Sequence, residues 1–390
     1  MEIDQFSIST YSLFVLKLFY LPTPSLSYRM TLSTVSIQNI RNIEQAKLEL
    51  DSGINLFEGE NGSGKTSLLE AIYILSSGRS FRTNKLSNVI KEHCDAFIIN
   101  GSKLNSAGQH IRLALHRDKN SWLALKINDD PAHRLSDLAK ELPVIFIGPN
   151  SYKLLEEGPQ WRRKFLDWGV FHVEHSFSQE WSSFHRVLKQ RNSLLAQSPR
   201  QQTHHELQAW DLQLNQFSQS ITSKRLNYLN ELMPVLTPFI KELLDISKVD
   251  IIYEQGWPKQ KNYLDILIKN RNRDALLKRT EYGPHRADFK LYLSDCAIKD
   301  RISRGQQKLL VYALWLAQQK LLLNKLSTRT LVLLDDISAE LDQEHSAKLM
   351  RILYNEGIQA LLTTANYKAL PLSMSSLHNM FHVKHGMVSP

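Results

Sequence analysis

The tightest constraint on this chain is a glycine-rich run, Gly59-Glu60-Asn61-Gly62-Ser63-Gly64-Lys65-Thr66, set between two segments of different period. Ile54-Asn55-Leu56-Phe57 before it reads as a short buried strand. After it, Leu68, Leu69, Ile72 and Leu75 recur at helical spacing between Thr66 and Ser76. Strand, glycine-rich loop and helix in that order form the setting in which such a loop holds phosphate. Gly59, Gly62 and Gly64 let the backbone amides of the loop, those of Glu60, Asn61 and Ser63 included, turn inward around the β- and γ-phosphates. The helix that follows adds its positive N-terminus. Lys65 is expected to span the β- and γ-phosphates as a point charge, and Thr66 to offer its hydroxyl to Mg²⁺. A chance glycine-rich turn is the bland alternative, and the flanking strand and helix argue against it. The sequence therefore predicts an ATP and Mg²⁺ site.

Two further motifs extend that prediction. Leu331-Val332-Leu333-Leu334 is apolar throughout and ends in Asp335-Asp336. Alone, such a run is a strand meeting solvent. Beside a phosphate loop it places Asp335 where it can hold Mg²⁺ through water, and Asp336 next to the γ-phosphate as base or water-positioning residue. Ser303-Arg304-Gly305-Gln306-Gln307 heads a helix predicted from Arg304 to Leu323. Alone, that pattern is an N-cap, but a serine and a glycine at a helix N-terminus also make an anion site. Ser338-Ala339-Glu340-Leu341-Asp342 follows the acid strand, and Gln359–Thr363 is expected as its neighbour.

The rest of the chain divides around these motifs. Leu32–Ile37 and Ala46–Leu50 alternate as strands, and 95–127 reads as more strands with polar turns. Pro143–Ile147 and the break Gly148-Pro149-Asn150 open a second region, mostly helical from Trp161 to Leu244. There Leu207, Trp210, Leu214, Phe217 and Ile221 fall near a seven-residue repeat, enough for a short helical hairpin. Strand character returns at Phe289–Leu293. We expect an N-terminal head segment at 30–140, a helical insert at 141–274 and a C-terminal head segment at 275–390. The two head segments must fold together for their motifs to act.

Composition narrows the partners and the compartment. Forty-eight Lys and Arg against thirty-nine Asp and Glu give the 390 residues a net charge of +9. That excess suits a polyanion, whose counterions basic side chains release. Cys94 and Cys296 are too far apart in sequence for a disulfide framework and fit a reducing, cytoplasmic setting. His172, His175, His204 and His205 lack cysteine or carboxylate partners at zinc-ligand spacing. The apolar stretch Tyr11–Leu21 is too short to span a membrane and is broken by Lys17. Residues 1–29 are expected to be an extension without a catalytic role, translation starting at Met30. Intact mass spectrometry of the protein from its native host, finding residues 1–29 present, would refute that start.

Taken together, the phosphate loop, the Ser303 segment, the acid strand and the Leu341-Asp342 that follows resemble the ABC-type ATPase heads of the SMC family. Asn39-Ile40-Arg41-Asn42-Ile43, Gly158-Pro159 with Arg162-Arg163, Leu188–Asn192 and Tyr282–Asp288 extend the resemblance over residues 30 to about 385. It implies an α/β fold, an ABC-type P-loop head with an inserted, mainly helical arm domain. Such heads dimerise around two ATP molecules, so Lys65 of one subunit and Ser303 and Gly305 of the other would face one γ-phosphate. Gln306 would position groups at that interface, and Arg41 and Asn42 would contact base or phosphate. The resemblance further implies slow ATP hydrolysis that opens the dimer on DNA. The DNA would be single-stranded, duplex or gapped, bound without sequence preference. Partners would be mediator proteins of the RecO and RecR type, with a recombinase loaded at gaps and stalled forks and the SOS response supported. Asn150 and Glu157 depart from the pattern outside the ATP motifs. Thr363-Thr364 stand where ABC transporters carry a switch histidine, so no such histidine is assigned.

Arg162, Arg163, Lys164, Arg186, Lys189, Arg191, Lys224 and Arg225 of the insert are candidate phosphate contacts, with a structural role open for Arg162 and Arg163 through Asp167 or the head. A small-molecule P-loop kinase would close a lid in place of a Ser303-type signature. A transporter subunit would carry the switch histidine, and a full SMC protein a far longer insert.

Overall fold

The computed structural model describes residues 31–104, 108–197, 204–371 and 379–390; the expected extension at 1–29 and the start at Met30 lie outside them. The described chain opens with the hairpin β1 (Thr34–Ile40) and β2 (Ile43–Glu49), in which Ile37 faces Ala46 across the ladder. β3 (Ile54–Glu58) leads into the glycine-rich loop and the helix Lys65–Ser77. β4 (Ala96–Leu104), β5 (His110–Asp118), β6 (Leu123–Ile127) and β7 (Asp130–Pro131) then join the hairpin in an antiparallel sheet, ordered β2-β1-β4-β5-β6-β7.

A second sheet carries the site. β8 (Val144–Ile147) pairs parallel with β12 (Leu331–Leu334), which pairs parallel with β13 (Ala360–Thr364). β3 lies between β13 and β14 (Asn379–Lys384), parallel to both, and β15 (Met387–Ser389) closes the edge. β12 is buried along its whole length and β3 in all but its last residue, which is why both read as unbroken apolar runs and not as alternating ones. Successive side chains serve different cores. Leu56, Val332, Leu334 and Leu362 pack with the helices on one face. Phe57, Leu331, Leu333 and Leu361 pack with the antiparallel sheet and the helix Lys65–Ser77 on the other. One boundary changes: Val144–Ile147, expected at the start of the insert, is a strand of the head.

The insert carries helices Pro159–Val173, Phe177–Leu195, His204–Leu244, Tyr263–Lys269 and Arg271–Leu277, and its strand β9 (Asp250–Glu254) pairs with β10 (Asp288–Leu293) of the head, which also pairs with β11 (Cys296–Ala297). Leu207, Leu214 and Ile221 are buried, as the repeat predicts, while Trp210 and Phe217 are partly so. The last helix runs 41 residues, well beyond a short hairpin, and passes through Pro234 and Pro238. The cost of a helix-interior proline is met by burial of Leu232, Leu236, Phe239, Ile240 and Leu243 in the core shared with the head. Thr237 Oγ1 also donates to the Met233 carbonyl at 3.0 Å. The helix Arg304–Leu326 lies against this one and is buried on nearly every side, so it lacks an amphipathic stripe. No helix of the described residues is long and apolar enough to cross a membrane.

Most of the basic residues proposed as DNA contacts are engaged within the fold, which removes several of them as candidates. Arg191 is fully buried, donating to Asp211 at 2.6 Å and to Asp274 at 2.7 Å. Arg225, also fully buried, is held by Asp167 at 2.8 and 3.0 Å and by the Pro284 carbonyl. Arg162 pairs with Asp288 of the head, and Arg163 donates to the Ala287 carbonyl at 2.7 Å. Asp167, considered as their partner, belongs to Arg225. Lys224 pairs with Glu180, and Lys164 lies over the Trp161 ring. Arg186 and Lys189 remain exposed.

Arg191→Met should lower stability by about 3–5 kcal/mol, because Asp211 and Asp274 would keep buried charge with less to oppose it. Urea unfolding checks this, and a loss below about 1 kcal/mol would contradict the buried network.

Candidate functional site

β3 ends at Glu58, and the loop turns from it into the helix Lys65–Ser77. Gly62 and Gly64 take φ angles of 81° and 121°, which L side chains rarely adopt. At Gly59 the constraint is approach: a methyl there would lie 2.2 Å from the Val383 carbonyl oxygen. Two turns clasp the loop. Asn42 Nδ2, from the β1–β2 turn, donates to the Ser63 carbonyl at 3.1 Å, and Gly386 N, from the β14–β15 turn, donates to the same oxygen at 2.7 Å. The loop is therefore preformed, which suits repeated binding of one rigid anion.

The polar atoms within fit a nucleotide and its cation. Ser63 Oγ is buried without a hydrogen-bond partner, an orphan that a phosphate oxygen would satisfy. Lys65 Nζ donates to the carbonyls of Gly59 at 2.6 Å and Glu60 at 2.9 Å, which holds the ammonium at the loop. Burial lowers its pKa, opposed by the charges of Asp336, Asp335 and Glu58. Thr66 Oγ1 lies 3.0 and 3.1 Å from the two Asp335 carboxylate oxygens. A hydroxyl beside a carboxylate is the hard-oxygen pair that Mg²⁺ uses, its other ligands being water and phosphate. Among the described residues no cluster of three His, Cys, Asp or Glu could hold a metal unaided.

Thr363, a residue missed as functional from sequence, fixes the acid pair. Its hydroxyl donates to Asp335 Oδ1 at 2.7 Å and accepts from the Asp336 amide at 2.8 Å. Asp336 sits at φ 51° at the head of the short helix Ile337–Glu340. Burial raises the Asp335 carboxyl above the ordinary carboxylate range; hydrogen bonds from Thr363 and Thr66 oppose this, as does the charge of Lys65, while that of Asp336 adds to it. The signal in sequence was two hydroxyl residues ending an otherwise apolar strand.

The expected nucleotide contacts at the β1–β2 turn separate. Asn42 touches the loop. Arg41 instead turns to the helix, where Glu70 grips it at 2.8 and 2.9 Å and the Asn88 carbonyl takes its third nitrogen at 2.7 Å. Glu70 is fully buried, a lone acid on the apolar helix face, and that oddity could have marked it. Ser303 is the N-cap of its helix: its Oγ accepts from Gln306 N at 3.3 Å, and Gln306 Oε1 accepts from Ser303 N at 2.9 Å. Around Gly305 there is open space, the Ser303 hydroxyl 3.9 Å from where a methyl would stand. Among the described residues no hydrogen bond or ion pair joins Ser303–Gln307 to Gly59–Thr66. One chain does not bring these two motifs together.

Known proteins are similar to this chain in sequence and fold. Residues 31–389 match the family model of the RecF/RecN/SMC N terminal domain. The chain is 39% identical to the DNA replication and repair protein RecF of Shewanella sediminis over 361 residues, 92% of this chain and 99% of that protein. The RecF protein of Shewanella frigidimarina is 38% identical over the same shares. Among solved structures, the recombination mediator protein RecF-ATP of the RecFOR pathway superposes with a TM-score of 0.83 at 27% identity, over 94% of this chain and 99% of that one. An Smc head bound to the C-terminal winged-helix domain of ScpA superposes at 0.58 and 12% identity over 92% of this chain and 96% of that one, a likeness of fold alone.

The raised Asp335 pKa sets a pH dependence. A carboxyl that binds its proton more tightly folded than unfolded favours folding below its unfolded value, and that contribution is lost as pH rises through the folded one. The melting temperature of the wild type relative to Asp335→Asn should therefore fall as pH rises from the ordinary carboxylate range upward. Differential scanning fluorimetry across pH reads it, and a constant difference would count against the burial argument.

Proposed function

The chain belongs to the RecF family of SMC-type ATPase heads, and from that premise we propose that it is an ATP-dependent DNA-binding protein of recombinational repair and replication-fork maintenance. The observation that carries this reading is the separation of the two motifs. The loop with Thr66 and Asp335 forms one wall of a nucleotide site, while Ser303, Gly305 and Gln306 cap an exposed helix end that, among the described residues, shares no hydrogen bond or ion pair with that loop. A second copy supplies the missing wall, so two chains close around two ATP molecules.

In that dimer the amides of Gly59–Thr66 wrap the phosphates, and Lys65 leaves its carbonyl partners to span the β- and γ-oxygens. Thr66 and Asp335 would hold Mg²⁺, which would supply positive charge beside the phosphate oxygens. Asp336, half-buried beside Asp335, positions the attacking water or takes its proton. Asn42 orders the loop, Arg41 acts through Glu70, and Gln306 orients the partner's Ser303. Hydrolysis is slow and serves as a timer that opens the dimer. By likeness to RecF of the RecFOR pathway, RecO- and RecR-type mediators are its partners, recombinase loading at gaps and support of the SOS response its tasks, and the cytoplasm its place.

Ser303→Arg should block ATP-driven dimerisation measured by light scattering, and normal dimerisation of this variant would end the shared-site reading. Asp336→Asn should bind ATP yet hydrolyse it on the order of 10²-fold more slowly or worse. Lys65→Arg should keep some nucleotide binding and lose hydrolysis. A salt titration with single-stranded, duplex and gapped DNA tests the nucleic-acid partner, and no affinity at low salt for any of them would remove the repair reading.

A further inference from the structure

While Arg162, Arg191, Lys224 and Arg225 of the insert are held in ion pairs, a second group of cations in the head is not. A cleft of about 740 Å³ lies between the segment after the helix Lys65–Ser77 and the β5–β6 turn. Arg79, Lys85 and Arg117 line it together with the hydroxyls of Ser80, Thr83 and Ser121, and no acidic residue does. None of these three cations has an ion-pair partner among the described residues. Arg117 Nε is buried there with no hydrogen-bond partner at all. Three like charges converging on one concavity repel one another unless an anion joins them. Beside Ser121 at the turn stands Trp122, 56% exposed, its ring edge-on to His116.

We propose that this cleft takes the phosphate backbone of a single-stranded DNA segment while Trp122 stacks one of its bases. The assignment rests on the DNA-binding reading above and gives that reading a location. Unpaired cations with hydroxyls hold phosphates without reading sequence. An exposed indole face takes an unpaired base, which a duplex does not offer. An acidic peptide would satisfy the cations but leave the indole unexplained.

The cleft is also joined to the nucleotide site. Glu70 accepts from Ser80 Oγ and from Arg82 on the cleft side and grips Arg41 on the other. Arg41 is followed by Asn42, which holds the Ser63 carbonyl of the phosphate loop. Ser80 Oγ in turn accepts from the Arg82 and Thr83 amides, fixing the segment that carries Lys85. A short polar route thus links the phosphate loop to the cleft.

Fluorescence anisotropy with a labelled thymidine oligonucleotide, over a range of salt, tests this. Removing two phosphate contacts in Lys85→Ala/Arg117→Ala should reduce the slope of log affinity against log salt by about 1.4. Trp122→Ala should weaken binding roughly 5- to 150-fold with the slope unchanged, and leave duplex binding within about twofold. Lys85→Ala alone, on an exposed loop, should lower the slope by about 0.7 and guards against misfolding of the double variant. ATP-driven dimerisation should persist in all of them. Variants that dimerise normally and bind the oligonucleotide with wild-type affinity and slope would overturn the cleft assignment while leaving the DNA reading intact. A wild type that binds no DNA at low salt would instead overturn the reading itself.

Discussion

Everything in the nucleotide site hangs on the parallel ladder around β3. A strand whose next residues form the phosphate loop is held by β13 on one edge and β14 on the other. Those neighbours bring the groups that fix the loop and its acids. β13 carries Thr363, which fixes Asp335 and the Asp336 amide, and β14 leads to Gly386, which holds the Ser63 carbonyl. If the ladder slipped by one residue, every side chain of β3 would change face and both contacts would be lost. The site's geometry is thus a property of strand register before it is a property of any side chain.

The charge of +9 is distributed with a clear division of labour. In the insert, Arg191 and Arg225 are sunk among carboxylates and bind helices to one another and to the 284–288 segment of the head. Such buried pairs are costly to break singly, although a packed apolar core would serve stability as well. In the head, Arg41 is held by Glu70, while Arg79, Lys85 and Arg117 stay unpaired around one cleft. Net charge alone points to a polyanion, but only pairing shows which cations remain free to meet it.

Much of this was legible in the sequence. The change of period at Gly59–Thr66, the apolar run before Asp335 and the serine ahead of Arg304 each mark a local feature, and local features survive translation into structure. What was hidden is long-range. Nothing near Arg191 announces Asp274, and nothing near Arg162 announces Asp288, because those pairs form across 83 and 126 residues. For the same reason Val144–Ile147 reads as the start of a new region, although its partner strand lies at Leu331–Leu334. The 41-residue helix outruns the short hairpin expected from Leu207–Ile221, because its continuation through Pro234 and Pro238 rests on a tertiary core and not on the local repeat.

The distance between β3 and β14 also bears on how the chain is made. β3 ends at residue 58 and β14 begins at residue 379. At about 5–20 residues per second, a ribosome needs on the order of 15–60 s to cover that interval. Throughout it an apolar strand with two open edges waits for its partners, a state prone to wrong pairing. Competence to bind nucleotide therefore arrives late in synthesis and all at once, so a nascent head is not expected to load ATP before it can also reach a second copy.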